Sequence, residues 1–224
     1  MNANPGKALL FDIDGTLTDT DALHLEAFNR VFAPRGQVFD HKRFTRELQG
    51  FSLASIKARF LADEPAERQD AIMDDKEAIF RKLASEKIEP LPGLMALLDR
   101  ADRAQVPMAA ITNAPRLNAE MMLRGLGITH RFKAVVIGDE LAHGKPHPLP
   151  YLEGLRATGG AAGLSIAFED SRSGVQSASA AGIATVGIRT GLGHDDLIGA
   201  GAVMTASNFE AGELLDVLAE KMGW

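Results

Sequence analysis

The sequence predicts an α/β protein: a doubly wound parallel sheet interrupted after its first strand by a helical insertion. Three observations predict it. An apolar run, Ala8-Leu9-Leu10-Phe11, leads into a polar tip, Asp12-Ile13-Asp14-Gly15-Thr16. From about Asp21 to Ile88 the chain carries helical spacing, many charges and no convincing strand. After Pro90-Leu91-Pro92-Gly93, short β-rich runs alternate with helical segments, the pattern of a parallel sheet covered on both faces.

The elements follow in order. The expected first strand, residues 7–13, is built on the apolar run Ala8–Phe11 and belongs at the centre of the sheet. In the insertion, Leu23, Ala27 and Val31, with Phe28 and Phe32, form i, i+4 stripes. Shorter helices are expected near residues 40–48 and 53–61. A long charged helix is expected over residues 65–85, with Pro65 in its first turn and Ala71, Ile72, Ile79, Phe80 and Leu83 on its apolar side. The later strands are read at residues 106–111, 134–137, 165–168 and 183–188, and a weaker one at 202–204. Gly159-Gly160-Ala161-Ala162-Gly163 reads as a helix-to-strand loop. A last amphipathic helix over residues 210–222 is expected to turn Leu214, Leu215 and Leu218 inward.

Composition narrows the function. The 224 residues fit one large domain, or a core with a smaller one. No apolar stretch approaches a membrane span, and residues 1–7 lack the apolar centre of a secretory signal. The chain has no cysteine, which excludes disulfides and thiolate metal sites and suits a cytoplasmic protein. A net charge of −6 argues against a generally basic nucleic-acid surface. The expected partner is a small molecule, without nucleic acid or membrane, for a monomer or homodimer.

The chemistry lies at strand ends. Asp12 and Asp14 are two residues apart, so they leave the strand on the same side. Carboxylates so close repel unless a cation or a proton intervenes. An Asp-Gly turn alone explains neither the apolar strand before it nor the second aspartate. Thr112 and Asn113 follow the run Met108-Ala109-Ala110-Ile111, Lys145 lies in the loop after Val135-Val136-Ile137, and Glu169 and Asp170 follow Ile166-Ala167-Phe168. Separately these are a turn or helix cap, a solvated lysine and another cap. Together they gather at one sheet edge, where such sheets bind ligands. That inventory suits phosphoryl transfer.

The stretch from Asp12 to Asp19 fits D-x-D-G-T-x-x-D, and the four groups in this order resemble the haloacid dehalogenase-like superfamily over essentially the whole chain. The resemblance implies a Rossmann-like core, residues 1–18 and 89–224, with an α-helical cap domain inserted at 19–88. It implies a Mg2+-dependent phosphatase acting on a small phosphomonoester, such as a sugar phosphate, through an aspartyl-phosphate. Asp12 would be the nucleophile and Asp14 the acid–base group. Thr112, Asn113 and Lys145 would bind phosphate, and Asp12, Asp14 (by its backbone carbonyl), Glu169 and Asp170 would hold the metal.

The branch with a helical cap also contains β-phosphoglucomutase, so a phosphomutase is the alternative. Its cap pattern G-x-S-R reads Gly50-Phe51-Ser52-Leu53 here, and its Ser-Lys-Asn reads Ala114-Pro115-Arg116. Loss of the cap arginine favours hydrolysis. The cap candidates are His24, Phe51, Ser52 and Lys76. His24 is read equally as a hinge-side histidine or a polar-face residue. Lys76 is read first as an exposed helix lysine beside Asp74 and Asp75, and Phe51 first as packing inside the cap. A non-catalytic phosphoacceptor module is the reading from another class; it would not need Asp14 as a proton shuttle.

Overall fold

The computed structural model describes residues 6–85 and 87–224. The segment read for a secretory signal therefore lies mostly outside the described residues. Six parallel strands form one sheet: β1 (Leu9–Phe11), β2 (Met108–Thr112), β3 (Phe132–Ile137), β4 (Ile166–Glu169), β5 (Ala184–Ile188) and β6 (Met204–Ala206), in the order β3-β2-β1-β4-β5-β6. This is the doubly wound order whose direction reverses beside the first strand, and ligands bind at the carboxyl ends there.

β1 is shorter than the apolar run. Asp12 still bonds to the sheet, its N–H donating to the Phe168 carbonyl at 3.0 Å, but the chain then turns on itself, with Leu17 N–H donating to the Ile13 carbonyl. β6 begins two residues later than expected. Ala202 is held by the end of the preceding helix, its N–H donating to the Leu197 carbonyl. Along β1 the side chains alternate: Leu9 and Phe11 enter one apolar cluster and Leu10 the opposite one. Phe11 stacks on Phe168, with ring centroids 4.8 Å apart.

Between β1 and β2 run α1 (Asp21–Phe32), α2 (His41–Glu47), α3 (Leu53–Phe60), α4 (Ala66–Ala84) and α5 (Leu94–Arg103). The first four share a separate apolar cluster built on Phe28, Phe32, Phe39, Phe44 and Ile72. The remaining helices are α6 (Arg116–Gly125), α7 (Leu149–Thr158), α8 (Arg172–Ala180), α9 (His194–Ala200) and α10 (Gly212–Met222). In α10, Leu214, Leu218 and Met222 recur every fourth residue and are buried. Leu215 lies one step of the helix off that line and is exposed, contrary to the expectation. Trp224 donates from Nε1 to the Leu218 carbonyl at 2.6 Å, beneath the Arg100 guanidinium. Among the described residues, no helix is long and apolar enough to cross a membrane.

Candidate active site

The carboxyl ends of β1, β2 and β4 and the loop after β3 bring the expected groups together. Lys145 Nζ donates all three of its hydrogens: to Asp12 Oδ1 at 2.5 Å, to Glu169 Oε1 at 2.5 Å and to the Ile111 carbonyl at 2.8 Å. Asn113 brackets the Lys145 backbone. Its Oδ1 accepts from the Lys145 N–H at 3.0 Å and its Nδ2 donates to the Lys145 carbonyl at 3.1 Å. The Asn113 amide therefore positions Lys145. Thr112 Oγ1 accepts from the Ala114 N–H, which leaves its hydroxyl hydrogen free to donate. Burial pushes the Asp12 carboxyl well above its usual range; Lys145 opposes the shift, while Glu169 and Asp14 add to it. Burial would lower the Lys145 pKa, but the Asp12 and Glu169 carboxylates outweigh it and raise the pKa, so the ammonium stays protonated.

Glu169 is gripped by further donors, Tyr151 Oη at 2.7 Å and Ser171 Oγ at 3.2 Å. Asp170 lies beside the turn at Gly15. That residue has φ +76°, and a Cβ there would sit 2.2 Å from Asp170 Oδ2. The turn must be glycine on both counts.

The Asp14 side chain faces the helical insertion. Its Oδ1 accepts from Thr20 Oγ1 at 3.0 Å and pairs with His24 Nε2 at 2.9 Å. Lys76 Nζ lies 2.8 Å from His24 Nδ1 and 2.9 Å from Glu77 Oε1. An ammonium only donates, so Nδ1 is the acceptor and Nε2 carries the hydrogen given to Asp14. Burial, then the Lys76 ammonium, lowers the His24 pKa and keeps the ring neutral. Burial would raise the Asp14 carboxyl, but the His24 and Thr20 bonds and Lys76 bring it below its usual range.

Lys76 is thus not the exposed lysine expected. It is 2% exposed, because α4 turns Ile72, Met73, Lys76, Glu77 and Phe80 inward while Asp74 and Asp75 face solvent. The reading of Phe51 is corrected as well: it is 48% exposed, on the wall of the cavity rather than inside the insertion's core. Ser52 caps α3, its side chain accepting from the Ser55 N–H. Beside it, Gln49 Nε2 donates to Asp21 Oδ2 at 2.9 Å and to Asp170 Oδ2 at 3.2 Å, joining the insertion to the sheet edge.

Oxygen atoms of Asp12, Glu169 and Asp170 lie within 4.8 Å of one another, and all three residues are buried. Burial and the neighbouring Asp12 carboxylate push Asp170 well above its usual range. A hard divalent cation relieves this repulsion, and a set of carboxylate oxygens fits magnesium. The Asp14 carboxylate is not in the cluster, being turned to His24.

Sequence reasoning did not find Tyr151, Gln49, Asp21, Glu77 or Asn118. Tyr151, the chain's one tyrosine, is buried on α7 and had no motif around it. Glu77 Oε2 accepts from Asn118 Nδ2 at 2.6 Å across 41 positions of sequence, a pairing that no local pattern signals. The Thr20-Asp21 pair at the start of α1 was visible as a helix-start signal.

The fold, the ordered motifs and the buried carboxylate–lysine cluster define a hydrolase built on a Rossmann-like core. The haloacid dehalogenase-like hydrolase family matches residues 9–188, and the chain belongs to it. It is 31% identical over 221 residues to the phosphorylated carbohydrates phosphatase of Thermotoga maritima, covering 96% of this chain and 99% of that protein. It is 32% identical over 184 residues to the fructose-1-phosphate phosphatase YqaB of Escherichia coli, covering 81% and 95%. The crystal structure of CbbY from Rhodobacter sphaeroides in complex with phosphate superposes with a TM-score of 0.80 at 30% identity, over 90% of this chain and 94% of that one.

Proposed function

We propose that this protein is a magnesium-dependent phosphatase of small phosphomonoesters, phosphorylated sugars or related metabolites, working in the cytoplasm through an aspartyl-phosphate. One observation carries the reading: the buried Asp12 carboxylate, 2.5 Å from Lys145 Nζ, shares the sheet edge with Asp170, Thr112 and Asp14. The phosphatase names of the Thermotoga and Escherichia relatives support it.

In this mechanism an Asp12 oxygen attacks phosphorus and the bond to the leaving oxygen breaks. Asp14 gives that oxygen its proton. A water then attacks the aspartyl-phosphate, Asp14 takes the water's proton, and phosphate leaves with Asp12 regenerated. Asp14 as described is ionised, the state that accepts a proton; it is recharged before it serves a leaving group. Thr112 donates to a phosphoryl oxygen, and Lys145 holds Asp12 in position and offsets charge gathering there. Asp12 and Asp170, with Glu169 beside them and the Asp14 backbone carbonyl that the family implies, are the residues that would hold magnesium. When bound, the ion neutralises charge shared by the carboxylates and the phosphoryl oxygens. The helices before α5 form the cap (residues 19–88) that closes over this edge.

A mutase needs cations for a distal phosphate. Leu53 stands where the mutase pattern has arginine, and Arg116 is clamped by Glu140 at 2.5 and 2.7 Å. A phosphoacceptor module would retain its phosphoryl group, whereas the proton-handling set around Asp14 serves turnover.

The test is phosphate release from sugar phosphates and phosphoglycolate, with magnesium and with chelator, following β-glucose 1-phosphate for glucose 6-phosphate. Magnesium-dependent release is expected. Isomerisation without release would establish the mutase, and a stable phospho-protein without release would establish the acceptor module.

A further inference from the structure

The cavity between the helical insertion and the sheet edge has a volume of about 120 Å³. Its sheet side holds Asp12, Thr112, Lys145 and Asp170, and its insertion side holds Lys76, Glu77 and His24 with apolar walls. The two lysines are the only Lys or Arg among the described residues lining it, and neither is free. Lys145 gives its hydrogens to Asp12, Glu169 and a carbonyl. Lys76 is paired with Glu77 at 2.9 Å and bonded to His24. Glu77 is 4% exposed, and its second oxygen is fixed by Asn118. Arg81, nearby on α4, donates to Asn118 Oδ1 rather than into the cavity.

What the cavity leaves open is acceptors. Asp14 Oδ2 and Gln49 Oε1 are buried without a hydrogen-bond partner, and both residues line it. The Gln49 amide nitrogen donates to Asp21 Oδ2 and Asp170 Oδ2, which leaves Oε1 open as an acceptor. Buried acceptors call for donors. Hydroxyl groups supply them; an ionised carboxylate or second phosphate does not, and it would meet Glu77 with no uncompensated cation to receive it.

Building on the phosphatase reading, we propose that the cavity selects phosphomonoesters with an uncharged, hydroxyl-bearing leaving group, and that Glu77 enforces the choice by cancelling the Lys76 charge. The site then belongs with the hydrolysis of neutral sugar and polyol phosphates, against that of phosphorylated acids and bisphosphates. Glu77 is a specificity-determining residue here, with no part in the bond-breaking.

The experiment uses pairs of matched skeleton and different tail charge: glycerol 3-phosphate against 3-phosphoglycerate, and fructose 1-phosphate against fructose 1,6-bisphosphate. The wild type is expected to favour the neutral member by about a hundredfold in kcat/KM, the scale of a like charge with no compensating partner. Glu77→Gln leaves Lys76 uncompensated and should narrow that ratio by about tenfold, whereas Lys76→Gln leaves Glu77 uncompensated and should widen it. General damage to the fold does not move a ratio in opposite directions. Equal wild-type rates for the charged and neutral members, or both variants shifting the ratio the same way, would overturn the proposal while leaving the phosphatase intact. If a variant does not fold, the wild-type ratios decide alone. No phosphate release from any of the esters would instead overturn the phosphatase reading and this inference with it.

Discussion

Asp14 Oδ1 and His24 Nε2 are 2.9 Å apart, and this bond ties a carboxylate of the sheet edge to the first helix of the insertion. Behind it the His24 ring lies parallel to Phe80, with centroids 3.8 Å apart and planes 4° apart. The ring is thus held by stacking on one element while it bonds to another.

His24→Phe keeps the stack and removes the bond. Because His24 helps hold the Asp14 pKa down, its loss lets burial raise that pKa. The acid limb of the kcat profile, where Asp14 must be ionised to accept a proton, then moves to higher pH. At neutral pH kcat falls by about tenfold to a hundredfold, within what a positioned proton-transfer group contributes. An unchanged pH profile would show that His24 has only a packing role.

Asp12→Asn removes the proposed nucleophile at constant volume. Turnover should fall by at least about a thousandfold, as for other nucleophile removals. The circular dichroism spectrum should be unchanged, since Lys145 keeps Glu169 and the Ile111 carbonyl as partners. Retained turnover would exclude the covalent route.

Magnesium binding can be read without turnover. Saturating magnesium should raise Tm, by a stabilisation of about 2.7 kcal/mol at a hundred times Kd. Asp170→Asn should abolish that rise while leaving a folded protein. A full magnesium-induced rise in the variant would place the ion elsewhere.

Two glycines in helices should respond oppositely to alanine. A Cβ on Gly174 would lie 1.9 Å from the Glu169 carboxylate, whereas Gly199 has nothing within 4 Å. Gly174→Ala should displace Glu169, lower Tm and raise the magnesium concentration needed for activity. Gly199→Ala should be neutral or stabilising by about 0.5–1 kcal/mol through helix propensity. Thermal melts of both variants check this, and similar behaviour of the two would refute it.

Asp21 sets a pH dependence of stability. Burial, then the Asp19 carboxylate, raises its pKa from the usual 3.8 to about 7. A carboxyl whose folded pKa is raised favours folding while protonated. That contribution is full below pH 3.8, is lost as pH rises toward 7, and does not change further above it. In metal-free buffer, the Tm of Asp21→Asn relative to wild type should therefore climb between about pH 4 and pH 7 and then level off. A difference independent of pH would show that Asp21 titrates normally.

The sheet-edge groups were legible because they stand at strand ends or in the loop after one. Asp12, Thr112 and Glu169 stand at or just past the ends of β1, β2 and β4, and a parallel sheet brings such positions to one edge whatever the intervening chain does. The insertion side was read poorly. Helical spacing gave α4 an apolar stripe, but it left Lys76 outside that stripe on the strength of its charge and of Asp74 and Asp75 beside it. The structure buries it because Glu77, His24 and the Phe28 ring, 4.3 Å from Nζ, all receive the ammonium.

By itself the sequence determined the doubly wound core, the helical insertion and the four groups that gather at the sheet edge. These depend on local periodicity and on residues adjacent to strand ends, which are written in order along the chain. Only the tertiary structure decided which side chains pair with one another: Lys145 with Asp12 and Glu169, Lys76 with Glu77 and His24, Gln49 with Asp21 and Asp170. The physical reason is that burial makes a charge depend on its nearest partners. Those partners come from elements far apart in the chain, as Glu77 and Asn118 do when α4 meets α6.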